Sequence, residues 1–247
     1  MRLLLLGGST EANRLARRLS GHARIRATLS LAGRTTNPAV AMLPTRIGGF
    51  GGSEGLSRYL REERIDAVVN ATHPFAAQMS ENAMAACASA RVPLALFTRP
   101  PWRTQPGDVW IEVSDAAGAA AALGPPPKRV FLTVGRLQLA AFRGLPHHFL
   151  VRTIDSPAPE ILPKFAEILS AKGPFTVAEE IDLMRRHAVE ILVSKNSGGG
   201  ATEAKLEAAR SLRLPVVMIQ PPPVRGRTIF YNVELALAWI ESHLASP

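Results

Sequence analysis

Short apolar runs alternate with longer amphipathic stretches along almost the whole chain. The first run, Leu3–Leu6, predicts a strand, and Glu11–Leu19 predicts a helix because Leu15 and Leu19 share one face. Further strands are predicted at Arg24–Leu31, Thr45–Ile47, Asp66–Ala71, Pro93–Phe97, Val109–Val113, Arg129–Thr133, Phe149–Arg152, Glu190–Val193 and Pro215–Ile219. Further helices are predicted in the alanine-rich stretch before Arg129 and at Glu54–Glu63 (capped by Ser53), Ala76–Ala90, Leu162–Ala171, Glu179–Arg186, Thr202–Leu212 and Val233–His243.

Strands that alternate with helices of roughly 10–15 residues are typical of parallel sheets covered by helices on both faces. The segment Arg99–Asp108, RPPWRTQPGD, interrupts this alternation with prolines and a glycine and is interpreted as a domain seam. We therefore predict an α/β fold with two Rossmann-like lobes, residues 1–100 and 107–247, and an active site in the cleft between them. The C-terminal elements are compatible with packing on either lobe.

Composition adds a strong positive charge to this picture. The net charge is +9, and the 29 basic residues are 24 arginines and 5 lysines. The guanidinium group of arginine pairs with carboxylates and phosphates, so the excess of arginine favours a polyanionic partner. GC-rich coding, with the arginines simply exposed to solvent, accounts for the same excess. Nucleic acid is not favoured, because the arginines are dispersed and only 6% of residues are aromatic.

The remaining composition favours a soluble cytoplasmic protein. No apolar run approaches the roughly 20 residues of a membrane span, and Leu3–Leu6 is too short for the apolar region of a signal peptide. The one cysteine, Cys87, has no partner for an internal disulfide and is expected to be buried in a helix.

The turn after the first predicted strand reads GGST, Gly7–Thr10. Two glycines and two hydroxyl residues at the start of a helix suit a phosphate, because backbone N–H groups and the helix dipole favour an anion there. The turn departs from G-x-G-x-x-G, since Ser9 replaces the second glycine and Ala12 the third. A nucleotide site and a merely structural turn both remain open at this point.

The end of the second predicted strand carries no acidic residue. NAD-binding Rossmann proteins place an acid there on the ribose, whereas SLAGRTTNP offers Ser30, Arg34 and Thr35. An arginine suits the 2′-phosphate of NADPH, and the missing acid argues against a methyltransferase that binds S-adenosylmethionine. A solvated loop arginine is the alternative, just as GGFGG at Gly48–Gly52 is either a ligand loop or simply flexible.

The sequence lacks the residues that several other kinds of enzyme or binding site require. The Tyr-x-x-x-Lys dyad of short-chain dehydrogenases is absent, because Glu63 follows Tyr59 and Leu235 follows Tyr231 at that spacing. No G-x-x-x-x-G-K-[ST] phosphate loop occurs, and no set of Cys and His has the spacing of metal ligands. We predict no metal site.

Five motifs together resemble the precorrin-6A reductases of cobalamin biosynthesis. They are GGSTEA, SLAGRT, DAVVNATHPFA ending at Ala76, RPPW beginning at Arg99, and KNSGG at Lys195–Gly199, in that order over essentially the whole chain. The resemblance implies two Rossmann-like lobes and an NADPH-dependent reduction of the C18–C19 double bond of precorrin-6A, giving precorrin-6B. It also implies a polycarboxylate tetrapyrrole substrate, which would account for the arginines, and other corrin-pathway enzymes are further candidate partners.

The resemblance also suggests roles for individual residues. Gly7, Gly8, Ser9 and Thr10 would hold the pyrophosphate, Arg34 and Thr35 the 2′-phosphate, and Gly49 and Gly51 a loop close to the cofactor. Thr72, His73 and Phe75 would lie near the nicotinamide, where His73 is either a proton donor or a loop hydrogen-bonding residue. The substrate would contact Arg136, Lys195, Asn196, Ser197, Gly198 and Trp102, although core or hinge packing is an equal alternative for Trp102.

Three other functions remain open from the sequence. They are a reductase of another conjugated substrate, a non-enzymatic NADPH sensor that binds without turnover, and a nucleic-acid binder with strongly salt-dependent affinity. Whether the ring of the substrate holds cobalt is also open.

Overall fold

The computed structural model describes residues 1–33, 42–223 and 228–244. The strands are β1 Arg2–Leu6, β2 Arg26–Leu31, β3 Thr45–Ile47, β4 Ala67–Asn70, β5 Leu94–Phe97, β6 Trp110–Val113, β7 Arg129–Thr133, β8 His148–Thr153, β9 Ala166–Ser170, β10 Ile191–Lys195, β11 Val216–Ile219 and β12 Thr228–Phe230. The α-helices are α1 Thr10–Leu19, α2 Gly52–Glu62, α3 Ala77–Ala90, α4 Ala116–Ala122, α5 Val177–Arg186, α6 Ala204–Ser211 and α7 Val233–Ser242.

These strands form two six-stranded sheets in which the described pairings are all parallel. The first sheet has the order β12-β5-β4-β1-β2-β3. Read from β3 this is the Rossmann order 3-2-1-4-5-6, in which β12 takes the position of the sixth strand. The second sheet has the order β6-β11-β10-β7-β8-β9, which is the same order with β7 as its first strand and β6 in the position of the sixth. The predicted α/β fold with two Rossmann-like sheets is confirmed.

The opening leucine run follows from burial of β1 on both faces. Leu3 and Leu5 pack with α1 and α7, whereas Leu4 and Leu6 pack with α2 and α3 on the opposite face. Successive side chains of a strand point to opposite faces, so the middle of a central strand between two helical layers is apolar on both faces.

The chain divides into two compact units, residues 1–100 with 222–247, and residues 101–221. The first boundary lies within the segment Arg99–Asp108, and residues 222–247, for which the sequence left packing on either lobe open, belong to the first unit. β12 pairs with β5, and Ala236, Leu237 and Ile240 of α7 lie in the core of the first unit. The cleft expected between the lobes stays a prediction.

Some local predictions were wrong. Leu162–Ala171 was predicted as a helix, but its second half is the edge strand β9, which pairs residue by residue with β8 from Ala166 to Ser170. This tertiary pairing overrides the helix propensity of the AEIL sequence.

The predicted cap of α2 was also wrong. The helix begins at Gly52, so Ser53 lies inside it, and the N-cap residue is Gly51, which has a left-handed φ of 79°.

We predict that Ile240→Ala lowers the free energy of unfolding by about 2–5 kcal/mol, because Ile240 is fully buried in the core of the first unit. Leu235→Ala on the same helix is the matched control: Leu235 is exposed, and its truncation is expected to change stability by no more than about 0.5 kcal/mol. Urea denaturation of both variants measures the difference. Equally small losses would contradict the packing of α7 on the first unit.

Candidate active site

The GGST turn lies at the carboxyl end of β1, where the strand order reverses between β2 and β4. The Gly7 N–H donates to the Ser30 carbonyl at 2.9 Å, and a Cβ at Gly7 would lie only 2.5 Å from Leu29 Cδ1. Gly8 has a φ of +106° and no atom within 4 Å of the place where a Cβ would be. The turn therefore presents bare backbone to open space at the N-terminus of α1, which is the geometry that a phosphate uses.

Ser9 and Thr10 have different roles in this turn. Ser9 is buried, and its Oγ accepts from the Ala12 N–H at 3.1 Å and donates to the Ala71 carbonyl at 2.7 Å. Ser9 thereby caps α1 and ties the turn to the residue after β4. Thr10 is exposed in the first turn of the helix and is accessible to a ligand.

Sequence reasoning missed an ion pair beside this turn. Glu11, also in the first turn of α1, is buried, and Oε2 accepts from Arg99 Nη1 at 2.7 Å. A carboxylate at a helix N-terminus is stabilised by the dipole, and the pair links α1 to the segment after β5. The separation of 88 residues gives no signal in the sequence.

Arg46 organises the glycine-rich loop after β3. Its guanidinium donates to the carbonyls of Gly48 and Gly49, both at 2.6 Å, and stacks 3.8 Å from the centre of the Phe50 ring. The same group reaches Ser30 Oγ at 3.5 Å, next to the end of β2. The loop that contains Gly49 and Gly51 is thus held against the edge of the sheet.

The loop after β4 is built on the buried side chain of Asn70. Its Oδ1 accepts from the backbone N–H of Thr72 at 3.1 Å and from the Thr72 hydroxyl at 2.8 Å. His73 is half-buried and its Nδ1 accepts from the Phe75 N–H at 3.2 Å, so the neutral ring carries its proton on Nε2. Thr72, His73 and Phe75 therefore lie at the same reversal of strand order as GGST.

Arg34 and Thr35, the other predicted cofactor residues, lie outside the described residues.

The second unit repeats this arrangement at the carboxyl ends of β7 and β10. Lys195 ends β10, and its Nζ would lie 3.3 Å from a Cβ at Gly135, which follows β7. Burial lowers the pKa of the Lys195 ammonium to about 8. Arg136 is exposed at the start of a 3₁₀ helix over Arg136–Phe142. Gly135 thus leaves the space that Lys195 occupies, and a cation stands at the reversal of strand order.

Asn196 and Trp102 hold each other rather than facing an open site. The Asn196 side chain accepts from the Trp102 N–H at 2.7 Å and donates to the Trp102 carbonyl at 3.0 Å and to Gln220 Oε1 at 3.1 Å. The Trp102 ring packs against the core of the second unit. This clamp fixes the start of the second unit to the end of β10. Ser197 and Gly198 follow it and are also buried.

The second unit also contains buried charges that the sequence did not reveal. Arg152 donates to Glu180 at 2.5 Å, with both side chains buried, and Lys205 is buried beside them on α6. Burial lowers the pKa of Lys205 to about 7. Charged residues are almost never buried without partners, so this cluster stands out from an ordinary core.

The described ranges offer neither a cluster of metal-binding side chains nor a membrane-spanning helix. No group of three or more His, Cys, Asp or Glu side chains there is arranged to hold a metal ion. No helix in those ranges is long and apolar enough to cross a bilayer. A cavity of about 350 Å³ lies in the second unit at the amino-terminal ends of β7, β8 and β9, at the sheet edge opposite Lys195.

Comparison with known proteins gives consistent matches over the full length. The family described as precorrin-6x reductase CbiJ/CobK matches residues 2–241. The precorrin-6A reductase of Rhodobacter capsulatus is 49% identical over 247 residues, which are 100% of this chain and 98% of that protein. The cobalt-precorrin-6A reductase of Priestia megaterium is 28% identical over 249 residues, covering 94% and 95% of the two chains. A solved structure named CobK precorrin-6A reductase has a TM-score of 0.91 at 48% identity, covering 100% of this chain and 98% of the other.

We predict that Ser9→Ala lowers the free energy of unfolding by about 1–3 kcal/mol, because it removes the cap of α1 and leaves the Ala71 carbonyl without its donor. Thr10→Ala, one residue along, removes an exposed hydroxyl and is expected to change stability by no more than about 0.5 kcal/mol. Thermal and urea unfolding of the two variants measure this. Equal stabilities would contradict the structural role of Ser9.

Proposed function

This chain belongs to the precorrin-6x reductase family, and we propose that it reduces the C18–C19 double bond of precorrin-6A with NADPH, giving precorrin-6B in cobalamin biosynthesis. The observation that carries the proposal is the family match over residues 2–241, which includes the reversals of strand order in both sheets. Family membership makes the chain an oxidoreductase. The substrate and the choice of NADPH over NADH belong to the proposal.

The metal-free ring is the proposed substrate rather than the cobalt-loaded one. Relatives named precorrin-6A reductase, such as those of Rhodobacter capsulatus and Rhodococcus erythropolis, are 49% and 45% identical to this chain. Relatives named cobalt-precorrin-6A reductase are 28% identical. Substrate preference is expected to follow the closer group.

The first unit fits a nicotinamide dinucleotide. Gly8 leaves open space at the N-terminus of α1, so the backbone N–H groups of the turn and the exposed Thr10 hydroxyl would hold the pyrophosphate. Within the described residues at the end of β2 there is no carboxylate to repel a 2′-phosphate, and Arg46 lies beside Ser30. Arg34 and Thr35 are proposed to bind that phosphate.

The bound cofactor would supply a hydride to one carbon of the double bond, and a proton must reach the other carbon. The chain's own contribution is position and charge. His73 holds a proton on Nε2 while Nδ1 accepts from the loop, and we propose it as the proton donor, with water as the alternative. Lys195 and Arg136 offer cations to the substrate's carboxylates, and Ser197 and Gly198 would border that site. Asn196 and Trp102 would act by fixing the segment that carries them.

The proposed substrate also agrees with the charge of the protein. A polycarboxylate substrate gives the excess of arginine a specific use, and no nucleic acid is required. A cytoplasmic location and contacts with neighbouring enzymes of the corrin pathway complete the proposal.

The proposal is tested by anaerobic turnover of purified protein with precorrin-6A, using NADPH and NADH side by side and following both cofactor oxidation and the ring spectrum. Ring reduction with a clear NADPH preference is expected. Tight NADPH binding without turnover of either the metal-free or the cobalt-containing ring would favour a sensor instead.

Arg34→Ala is predicted to raise the KM for NADPH roughly 10- to 100-fold, because it removes a charge-assisted contact to the 2′-phosphate. The KM for NADH, which lacks that phosphate, should change little. Steady-state kinetics with both cofactors gives the comparison. Parallel losses for the two cofactors would remove Arg34 from the phosphate site.

Lys195→Met is predicted to lower kcat/KM for precorrin-6A roughly 10- to 100-fold while leaving the Kd for NADPH unchanged, because it removes a cation from the substrate site only. Lys164→Met is the matched control, since Lys164 is exposed and lies before β9, at the opposite edge of the same sheet. Kinetics and cofactor titration separate the two effects. A selective loss of NADPH binding would reassign Lys195 to the cofactor.

A further inference from the structure

Glu11 and Arg99 form a buried ion pair that the proposed hydride transfer does not itself require. Glu11 Oε2 accepts from Arg99 Nη1 at 2.7 Å, and the two side chains are only 8% and 17% exposed. Removing two charges from water is costly, and the loss of either partner would leave the other charge buried and uncompensated. The charge of each partner therefore acts on its surroundings chiefly when the other is absent.

The pair spans the edge of the sheet at which the cofactor is proposed to lie. Glu11 is in the first turn of α1, which follows β1, and Arg99 comes two residues after the end of β5. β4 lies between those two strands, and neighbouring strands are about 4.8 Å apart, so the two side chains together bridge roughly 10 Å. Ligands of such folds bind outside the carboxyl ends of the strands. A dinucleotide that reaches from Gly8 towards β4 and β5 would pass close to this pair.

Both partners stand on fixed parts of the first unit. The backbone N–H of the buried Thr98, next to Arg99, donates to the Phe230 carbonyl of β12 at 2.9 Å. Glu11 follows closely on Ser9, the buried cap of α1, and its own side chain is buried. The carboxylate and the guanidinium are thus held in place before a ligand arrives, so binding does not have to order them.

An unpaired carboxylate at Glu11 would oppose a phosphate at the same end of α1. The N-terminus of a helix carries about half an elementary positive charge, which stabilises a phosphate and a carboxylate alike. Gly8 leaves open space at this terminus, with no atom within 4 Å of the place where its Cβ would be. While Arg99 neutralises the carboxylate, the positive end of the helix remains available to an anion in that space.

We propose that Arg99 is a positioning residue for the cofactor: by neutralising Glu11, it keeps the N-terminus of α1 electropositive for the pyrophosphate. The inference rests on the proposed function, because NADPH supplies the pyrophosphate. Arg99 acts through Glu11 and needs no contact with the cofactor. The effect of removing Arg99 therefore depends on whether the carboxylate of Glu11 is present, which would not hold for an arginine that binds a phosphate directly.

The test is titration of purified protein with NADPH, without the ring substrate, to give the Kd of each variant. Arg99→Met is expected to raise the Kd roughly tenfold, because it leaves an uncompensated carboxylate beside the pyrophosphate. Glu11→Gln keeps the shape of the side chain and is expected to lower the Kd, since the charge of Arg99 is then no longer cancelled. Arg17→Met removes an exposed arginine from the last turn of the same helix and should match wild type.

The double variant Glu11→Gln with Arg99→Met distinguishes the possible roles of Arg99. Because it removes both charges, it is expected to bind NADPH within about threefold of wild type. A Kd as high as that of Arg99→Met would indicate direct contact of Arg99 with a phosphate and would overturn the proposal. A weaker affinity of Glu11→Gln than of wild type would reduce the pair to a link between two segments, and would overturn it as well.

Arg99→Lys retains the positive charge and is expected to recover most of the affinity that Arg99→Met loses. Should Arg99→Met fold poorly, the lower Kd expected of Glu11→Gln and the near-wild-type Kd of the double variant still test the proposal, since neither variant contains a carboxylate without its partner. A wild-type Kd for Arg99→Met would overturn the inference alone. Failure of the wild-type protein to bind NADPH would overturn the proposed function, and the inference with it.

Discussion

The parallel pairing of β1 with β2 and β4 is the constraint on which the arrangement of the first unit depends. Parallel strands need helical crossovers, and the crossovers cover both faces of the sheet, so β1 is apolar at each of Leu3–Leu6. No polar side chain can project from the middle of such a strand without being buried. Chemistry is therefore confined to the strand ends, and the reversal of order between β2 and β4 opens space at the carboxyl end.

The central strand β7 of the second unit is under the same constraint. Each sheet takes its sixth strand from the part of the chain that follows the other sheet's fifth strand. β6 precedes β7 in the chain yet occupies the outer place beside β11, while β12 follows the whole second unit and lies beside β5. The chain must therefore return to the first unit to complete it. This return explains why residues 222–247 carry core positions of the first unit, such as Ile240.

Much of this architecture could be predicted from the sequence, and the exceptions have physical causes. The buried central strands and the amphipathic α1 have strong local patterns, whereas β9 and the three-residue β12 are edge strands defined by their partners. Helical periodicity in Leu162–Ala171 is a local property, and pairing with β8 is not. The destination of the C-terminal elements likewise depends on contacts that no local pattern encodes.

Some residues of the candidate site could likewise be predicted from local sequence patterns, and others could not. Gly7, Gly8 and Lys195 could be found because a turn or strand end limits what can stand there. Glu11 with Arg99, and Lys205 with its neighbours, are pairings between distant segments and have no local signature. Asn196 shows a further limit: its position within KNSGG was predicted, but its amide holds the Trp102 backbone rather than presenting an open side chain.

We propose that this chain transfers a hydride from NADPH to the precorrin ring. The most direct measurement is mass spectrometry of the ring product after a single anaerobic turnover with NADPH dideuterated at C4 of the nicotinamide. Hydride transfer predicts a product that has gained a single deuterium from the cofactor, while the second added hydrogen comes from solvent and is deuterium only when the reaction runs in D₂O. A reduced ring without cofactor-derived deuterium, or a ring left unreduced while NADPH is bound, would contradict it.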